Sequence, residues 1–487
     1  MTEPGRGATG RAGDRSTGPE ADRGNAFIAA IRARLPALRL LTGEAERESH
    51  RLDETPHGTP GLPLAVALPT ATAEVAELVR LCVAHGVPIV PRGAGTGLSG
   101  GATGIAGGLT IAFTAMDRIL EIDPGDLIAR VQPGVVNADL QAAVAAEGLF
   151  YPPDPASFAT STIGGNIATN AGGLCCVKYG ATRASVLSLE VVLADGTAIR
   201  TGGRLIKDVA GYSLTHLFIG SEGTLGLITE ATLRLRPAAP PRTTMLAFFP
   251  TLDDAGRAVS AMIAAGLDPA VLELLDRTTI GAIESRHGLG LDRSAAAMLL
   301  VESDLPAEAA TIELGRARAV CESQGATLCV QAADTAESDL LRQARRLALR
   351  AVQGLGTLRM EDVGVPRDRL PDLLRAIETI ADAHHVAVAT YGHAGDGNLH
   401  PHFIFEPDDP TIDERYEAIR RDLYLAAVAL GGTVTAEHGI GSTRVDFLEA
   451  QVGAGALGAM QRIRSALDPT GVFNPGRGIP AVGGPLA

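Results

Sequence analysis

Two periods of hydrophobicity divide the chain. Helix-like spacing of apolar residues covers 70–85, 253–265, 307–324, 337–350, 368–383 and 446–467, with a shorter amphipathic stretch at 26–35. Between these lie runs of strand length at 87–91, 225–235, 245–249 and 297–302, and residues 189–200 read as a hairpin turning at Asp195-Gly196. Thr72 is placed to cap the helix over 70–85, with Glu74 and Glu77 in its early turns. The stretch 236–242, rich in Pro and Arg, breaks both periods and marks a domain boundary. Beyond it strand-like and helix-like segments alternate, as in an antiparallel sheet covered by helices. The predicted fold class is α+β, with a disordered tail over 1–25, one domain over 26–238 and a second over 243–478. No internal repeat is visible.

Composition narrows the class. A length of 487 residues suggests roughly three domains or two large ones, and 46% apolar residues suit a sizeable globular core. The net charge of -14 argues against nucleic acid or an anionic membrane as the main partner. Residues 1–25 are rich in Gly, Arg and Asp without an apolar segment, so a tail rather than a signal peptide is expected. No run approaches the ~18 apolar residues of a membrane span. The five cysteines, at 82, 175, 176, 321 and 329, form no Cys-x-x-Cys pair, which speaks against an iron–sulfur cluster or zinc ribbon. The expected location is cytoplasmic, with peripheral attachment to the inner face of the membrane as its variant.

Glycine is concentrated where a ligand would need backbone. Residues 93–108 hold eight glycines in sixteen positions, beginning Gly93-Ala94-Gly95-Thr96-Gly97-Leu98-Ser99-Gly100-Gly101. The Gly95-x-Gly97-x-x-Gly100 spacing formally matches the dinucleotide fingerprint, and Asp117 lies twenty positions after Gly97. That fingerprint must open a helix, and the glycines continuing through Gly104, Gly107 and Gly108 forbid one. A Walker loop is excluded because no Gly-Lys-Ser/Thr follows. The remaining reading is a nest of backbone N–H groups, with the Thr96 and Ser99 hydroxyls, wrapped round phosphates. A mobile loop without ligand is the bland alternative.

Together with Tyr151-Pro152-Pro153-Asp154-Pro155, the stretch Ser161 to Gly173 and Gly220-Ser221-Glu222-Gly223-Thr224-Leu225-Gly226-Leu227-Ile228-Thr229, this loop resembles the FAD-binding domain of vanillyl-alcohol-oxidase-type (PCMH-type) flavoproteins. The resemblance covers about residues 60–238 and implies two α+β subdomains with FAD extended between them. It implies cofactor contacts from Arg92, Gly93, Gly95, Thr96, Gly97, Leu98 and Ser99 at the pyrophosphate. Further contacts are implied from Pro153, Asp154, Ser161, Thr162, Gly164, Gly165, Asn166, Thr169 and Gly172, with the Ile163-Gly164-Gly165 stretch passing the flavin ring. Glu222, Gly223 and Ile228 are implied near the adenosine half, and Asn474 joins the set. Some relatives attach FAD through a His in the first loop; Arg92, Ala94 and Thr96 stand there instead, so non-covalent FAD is implied.

A second constellation lies about 300 residues on. In Tyr391-Gly392-His393-Ala394-Gly395-Asp396-Gly397-Asn398-Leu399-His400, the two imidazoles would face opposite sides of a single straight strand. Gly395-Asp396-Gly397 signals a turn between them. With the chain reversed there, His393 and His400 can converge, and Glu437 of Thr435-Ala436-Glu437-His438-Gly439 can add a carboxylate. Two His and one carboxylate suit a divalent metal, zinc first, or manganese or iron, with open positions. Ordinary polar residues on a sheet edge are the alternative, although four of the eleven histidines fall within 393–438. His402 shares a strand face with His400 and is the rival ligand, and His438 could support a ligand rather than react.

These motifs, with Ala436-Glu437-His438-Gly439-Ile440-Gly441, resemble the C-terminal domain of FAD-linked D-2-hydroxy acid dehydrogenases, over about 243–478. That group includes the glycolate oxidase flavin subunit, cytochrome-linked D-lactate dehydrogenase and D-2-hydroxyglutarate dehydrogenase. The resemblance implies His393, His400 and Glu437 as metal ligands, Asn398 touching substrate and His438 as catalytic base. It also implies a helix arginine clamping the substrate carboxylate, by position Arg345, with Arg346 the rival. Hydroxyglutarate-type members carry a Lys where Met360 stands. This favours a monocarboxylate such as D-lactate or glycolate, although Arg359 could substitute.

The implied chemistry is oxidation of a metal-chelated 2-hydroxy acid to the 2-oxo acid. His438 takes the hydroxyl proton, and the C2 hydride passes to flavin N5. Electrons must then leave to an external acceptor: oxygen, a quinone, a cytochrome, an electron-transfer flavoprotein or an iron–sulfur subunit. A homodimer is a candidate assembly. The competing readings are D-2-hydroxyglutarate dehydrogenase, a flavin-dependent transferase of the alkyl-glycerone-phosphate synthase type, and a non-catalytic flavin subunit. The transferase's run of consecutive histidines is absent.

Overall fold

The computed structural model describes residues 19–55 and 60–480. Most of the expected tail, 1–18, lies outside the described residues, while 19–25 belong to a helix, Pro19–Arg34, that starts earlier than the apolar pattern suggested. Phe27 and Ile31 of this helix are fully buried, and they anchor it on the first core.

That core lies under a four-stranded sheet ordered Arg39–Leu41, Ala65–Leu68, Leu109–Ala112, Ile89–Arg92, the last three strands parallel. The helix Thr72–His85 covers it with Val75, Leu78, Val79 and Cys82 and stops at Gly86, where φ is 64° and glycine is the favoured residue. Thr72 does not cap this helix. Ala71 holds the cap position, the Thr72 hydroxyl donates to Glu190 at 2.6 Å, and the Glu74 carboxylate instead accepts from the Thr70 amide at 2.7 Å.

A five-stranded antiparallel sheet follows, ordered Ile119–Asp123, Ile128–Val131, Leu227–Arg234, Val186–Val192, Ala198–Gly202. It contains the expected hairpin, turning at Gly196. Residues 93–108 form no helix, as their glycine content required.

From Thr243 onward an eight-stranded antiparallel sheet dominates. Its path runs Leu328–Gln331, Thr243–Phe249, Ala297–Ser303, Val271–Asp276, Ala387–Gly392, Asn398–Phe405, Thr357–Met360, with Val363–Gly364 added on Asn398–Phe405. Leu252–Ala264, Ala307–Ser323 and Leu370–Ala383 pack on one face, and Arg277–His287 and Thr335–Val352 on the other. The antiparallel, helix-covered sheet predicted from the alternation is present. The strand Val271–Asp276 and the helices Arg277–His287 and Ile412–Ala429 were not foreseen.

The chain end does not stay with this second half. After the helix Leu448–Leu467, broken at Gly453, the Ile89 amide donates to the Val472 carbonyl and the Asn474 amide to the Ile89 carbonyl, both at 2.8 Å. Phe473 is buried in the first core. Residues 472–478 thus pack on the cofactor half, while Arg464 and the Gly441 carbonyl still tie them to the second half.

Candidate active site

One cavity of about 1140 Å³ opens where the halves meet. The first half contributes the glycine loop, the stretch 154–174 and the segment 221–228; the second contributes the helix Thr335–Val352, Met360, Tyr391, His393, His400, Glu437 and His438.

Its cofactor wall is made of unused backbone. Every amide from Gly93 to Ser99 is without an internal hydrogen bond among the described residues. The carbonyls of Gly100, Gly101, Ala102 and Thr103 are instead all held, by Arg477, Asn474, Arg92 and Arg477 again. Gly95 sits at φ +82°, and a Cβ there would lie 2.1 Å from the Arg92 guanidinium, so only glycine lets the loop fold over Arg92. Farther along this wall, Ser161 Oγ and Asn166 Nδ2 are buried with no partner in the fold. A row of free amides plus orphaned polar atoms in a large, mostly apolar cavity fits a flavin dinucleotide.

The opposite wall carries the histidines. The reversal at Gly397 turns Ala387–Gly392 back as Asn398–Phe405, and the imidazoles of His393 and His400 meet with centroids 5.2 Å apart. Glu437 reaches both, with carboxylate oxygens 3.3 Å from His393 Nε2 and 3.6 Å from His400 Nε2. One donor atom from each of the three lies within 4.8 Å of the others. Two nitrogens and a carboxylate so close, in a buried wall, fit a divalent ion with coordination positions left toward the cavity. Burial, only partly countered by Glu437 and Asp362, pushes the His400 imidazole down to about 4, which keeps its lone pair free. His438 stacks on His400 with centroids 5.3 Å apart and planes 13° from parallel.

Two carboxylates that the sequence did not single out hold this wall in place. Asp362 is fully buried, and one of its oxygens accepts from the Thr435 hydroxyl and from the amides of Ala436, Glu437 and His438 at 2.7 to 3.0 Å. It fixes the loop that presents Glu437 and His438. Burial alone would raise its pKa, but His438, His400, Arg444 and the bonded amide hold it well below the usual carboxylate range. Glu273, also fully buried, accepts from His393 Nδ1 at 2.6 Å and from Arg345 Nε at 2.5 Å. Burial opposes its charge, and His393 and Arg345 together hold it at about 2.

Most predicted contacts line the cavity: Arg92, Gly93, Gly95, Thr96, Gly97, Leu98, Ser99, Asp154, Ser161, Thr162, Gly164, Gly165, Asn166, Thr169, Gly172, Glu222, Gly223, Ile228, Arg345, His393, His400, Glu437 and His438. Gly172 lies so close to Glu437 that a Cβ would stand 2.3 Å from its carboxylate, so the two walls touch there.

Other expected residues are off the lining or engaged within the fold. Pro153 is not on the cavity wall; its carbonyl accepts from the side chains of Asn137 and Gln141. Asn474 is also off the wall, donating to the Gly101 and Glu222 carbonyls. Asn398 is not among the lining residues: its side-chain NH2 donates to Asp362 at 2.7 Å and to the Val363 carbonyl at 3.0 Å, while its Oδ1 is buried without a partner. The Ser99 hydroxyl, expected on a phosphate, donates to the His438 carbonyl. The Glu222 carboxylate is taken by the amides of Ile440 and Gly441. His402 is no ligand, because Tyr391 and the His400 carbonyl occupy its two ring nitrogens. Met360 lines the cavity, whereas Arg359, its neighbour on the strand, turns away to pair with Asp413. Arg345 lies 4.7 Å above the Tyr391 ring, while its rival Arg346 is exposed on the cavity rim.

Comparison with known proteins agrees with this architecture. Residues 239–477 match the family model "FAD linked oxidases, C-terminal domain", and residues 63–202 match "FAD binding domain". The chain is 45% identical over 435 residues to "Glycolate oxidase subunit GlcD" of Bacillus subtilis (strain 168), covering 89% of this chain and 92% of that protein. It is 34% identical to "D-lactate dehydrogenase" of Archaeoglobus fulgidus, covering 88% of this chain and 95% of the relative. Among solved structures, p-cresol methylhydroxylase with substrate bound superposes with a TM-score of 0.80 at 17% identity, over 95% of this chain and 98% of that one, a likeness of fold. No helix among the described residues is long and apolar enough to cross a membrane.

Proposed function

The chain belongs to the FAD-linked oxidases, and we propose that it oxidises a small 2-hydroxy acid, D-lactate or glycolate, to the 2-oxo acid. The observation that carries this reading is the meeting of His393, His400 and Glu437, beside His438 and Arg345, on a cavity shared with the free amides of the glycine loop. FAD, bound along the glycine loop, would supply a two-electron acceptor for the C2 hydride, and a divalent ion such as Zn2+ held by His393, His400 and Glu437 would supply a Lewis acid for the substrate hydroxyl.

The chain's own residues do the rest. With Arg345 Nε held by Glu273, the terminal guanidinium nitrogens are left to grip the substrate carboxylate. His438, its ring face against His400, takes the hydroxyl proton. Met360 stands on the wall where hydroxyglutarate-type relatives carry a Lys, and Arg359 turns outward to Asp413, which favours a monocarboxylate over hydroxyglutarate. Electrons leave to an external acceptor. The name of the Bacillus subtilis relative, a subunit, supports an acceptor on a separate polypeptide.

Anaerobic mixing with D- and L-2-hydroxy acids tests the proposal. Bleaching of the flavin absorbance by D-lactate or glycolate is expected, and a flavin that no hydroxy acid reduces would sink it.

A further inference from the structure

We propose that Glu273 is a positioning residue that sets the metal-site imidazole of His393 and the substrate clamp Arg345 together, so that metal binding and carboxylate binding stand or fall as one. The inference rests on the function proposed above and deepens it.

Glu273 is an anomaly in its strand. Val271–Asp276 lies inside the eight-stranded sheet, and alternation puts Glu273 on the same face as Val271 and Leu275, within an apolar cluster. A carboxylate there is costly unless its partners are charged and bonded. It has two such partners, one on each oxygen: His393 Nδ1 at 2.6 Å and Arg345 Nε at 2.5 Å.

Each bond has a consequence for chemistry. Donation from Nδ1 fixes the His393 ring and points Nε2 at Glu437 and the metal position. Donation from Arg345 Nε, with the guanidinium carbon 4.7 Å above the Tyr391 ring, leaves that fork one orientation on the cavity wall. The two ligand-facing groups come from different elements, the end of Ala387–Gly392 and the helix Thr335–Val352, and Glu273 bonds both. The neighbouring pair Glu302–Arg342 joins the same helix to the same sheet without touching a histidine, so anchoring the helix does not by itself require Glu273.

The test uses the full-length flavoprotein stripped of metal by EDTA and reads two affinities. One is for Zn2+, by competition with a chromogenic chelator. The other is for oxalate in the Zn2+-loaded protein, by perturbation of the flavin spectrum. Glu273→Gln is expected to weaken Zn2+ binding roughly 10–100-fold and to weaken oxalate binding at least ~10-fold, with FAD content unchanged. Should the lone substitution fail to fold, Glu273→Gln with Arg345→Gln removes both buried charges. Its Zn2+ affinity is expected to fall by the same factor relative to Arg345→Gln alone. Zn2+ affinity within about twofold of the matching parent, in either comparison, overturns the role of Glu273 while leaving the proposed function standing. A wild-type protein that binds no Zn2+ overturns the metal reading and this inference with it.

Discussion

The Ser99 hydroxyl donates to the carbonyl of His438 at 2.9 Å, joining the glycine loop to the loop that carries Glu437 and His438 across 339 residues of sequence. The Ser99 carbonyl returns the contact by accepting from the Ser442 amide, and Glu222 of the cofactor half accepts from Ile440 and Gly441. The segment after His438 is therefore built partly by the half that holds FAD. Ser99→Ala should lose a contact worth about 0.5–1.5 kcal/mol, roughly twofold to tenfold in equilibrium terms. Both the FAD dissociation constant and the rate of flavin reduction should worsen by that factor. A change in one with none in the other would show that the two loops are not coupled through Ser99.

His438→Ala should leave FAD bound, because its side chain stacks on His400 and bonds no part of the glycine loop. Removing a positioned general base should lower the rate of anaerobic flavin reduction about 10²–10⁴-fold. Stopped-flow absorbance reads this directly. Loss of FAD from the purified variant would show that His438 is structural instead.

Sequence made the ligand surfaces legible and hid their supports. The glycine loop could be read because its composition is useless without a ligand, and His393 and His400 because Gly395-Asp396-Gly397 announces the reversal that joins them. Glu273 could not be found that way. Its partners, His393 and Arg345, are 120 and 72 residues distant, and no local pattern tells a charged strand position from a boundary. Asp362 is similar: it serves the loop 435–438 from more than 70 positions away. Asn398 is a different case. It stands inside the motif, yet the strand Asn398–Phe405 directs its amide to Asp362 and Val363 behind the wall.

Metal removal should separate the two ligands proposed for the cavity. The free amides of 93–99 and the cluster of His393, His400 and Glu437 share no atoms, so EDTA dialysis should leave the flavin spectrum intact. Reduction by D-lactate or glycolate should stop, and Zn2+ should restore it. Glu437→Gln should behave as the stripped protein and resist restoration, since a neutral amide replaces the only anionic ligand. Undiminished reduction after chelation would remove the ion from the mechanism.

Asp154 gives a pH dependence with a definite sign. Burial raises its pKa to about 6, against the opposing help of Cys175 and Arg242. In the unfolded chain it ionises near ~3.9. Between about pH 4 and 6 the folded state therefore binds more protons than the unfolded state, and stability from this residue falls as pH rises. The deficit levels off above pH 6 at about 3 kcal/mol, from two units at about 1.4 kcal/mol each. Asp154→Asn keeps a polar partner for Cys175, so the variant should gain on the wild type steadily from pH 4 to 6 and hold that gain at pH 7. Urea unfolding at several pH values checks this, and a gap that narrows with rising pH would contradict it.

Arg477 should matter for cofactor retention although it lies near the end of the second half. Its side chain donates to the carbonyls of Gly100 at 3.2 Å and Thr103 at 2.6 Å, and Asn474 holds Gly101 between them at 2.9 Å. Arg464 in turn fixes this segment through the carbonyls of Phe473, Asn474 and Arg477. Because these carbonyls are pulled to one side, the run of amides that precedes them stays open toward the cavity. A hydrogen bond to a charged donor contributes about 1.5–3 kcal/mol, so Arg477→Ala should weaken FAD binding roughly tenfold to a hundredfold or more. The loss should appear as FAD-poor protein on purification, with the fold retained, because Phe473 remains buried in the first core and the Val472–Ile89–Asn474 bonds are untouched. Full FAD occupancy with an affinity within twofold of wild type would mean that the loop holds its shape without the chain end.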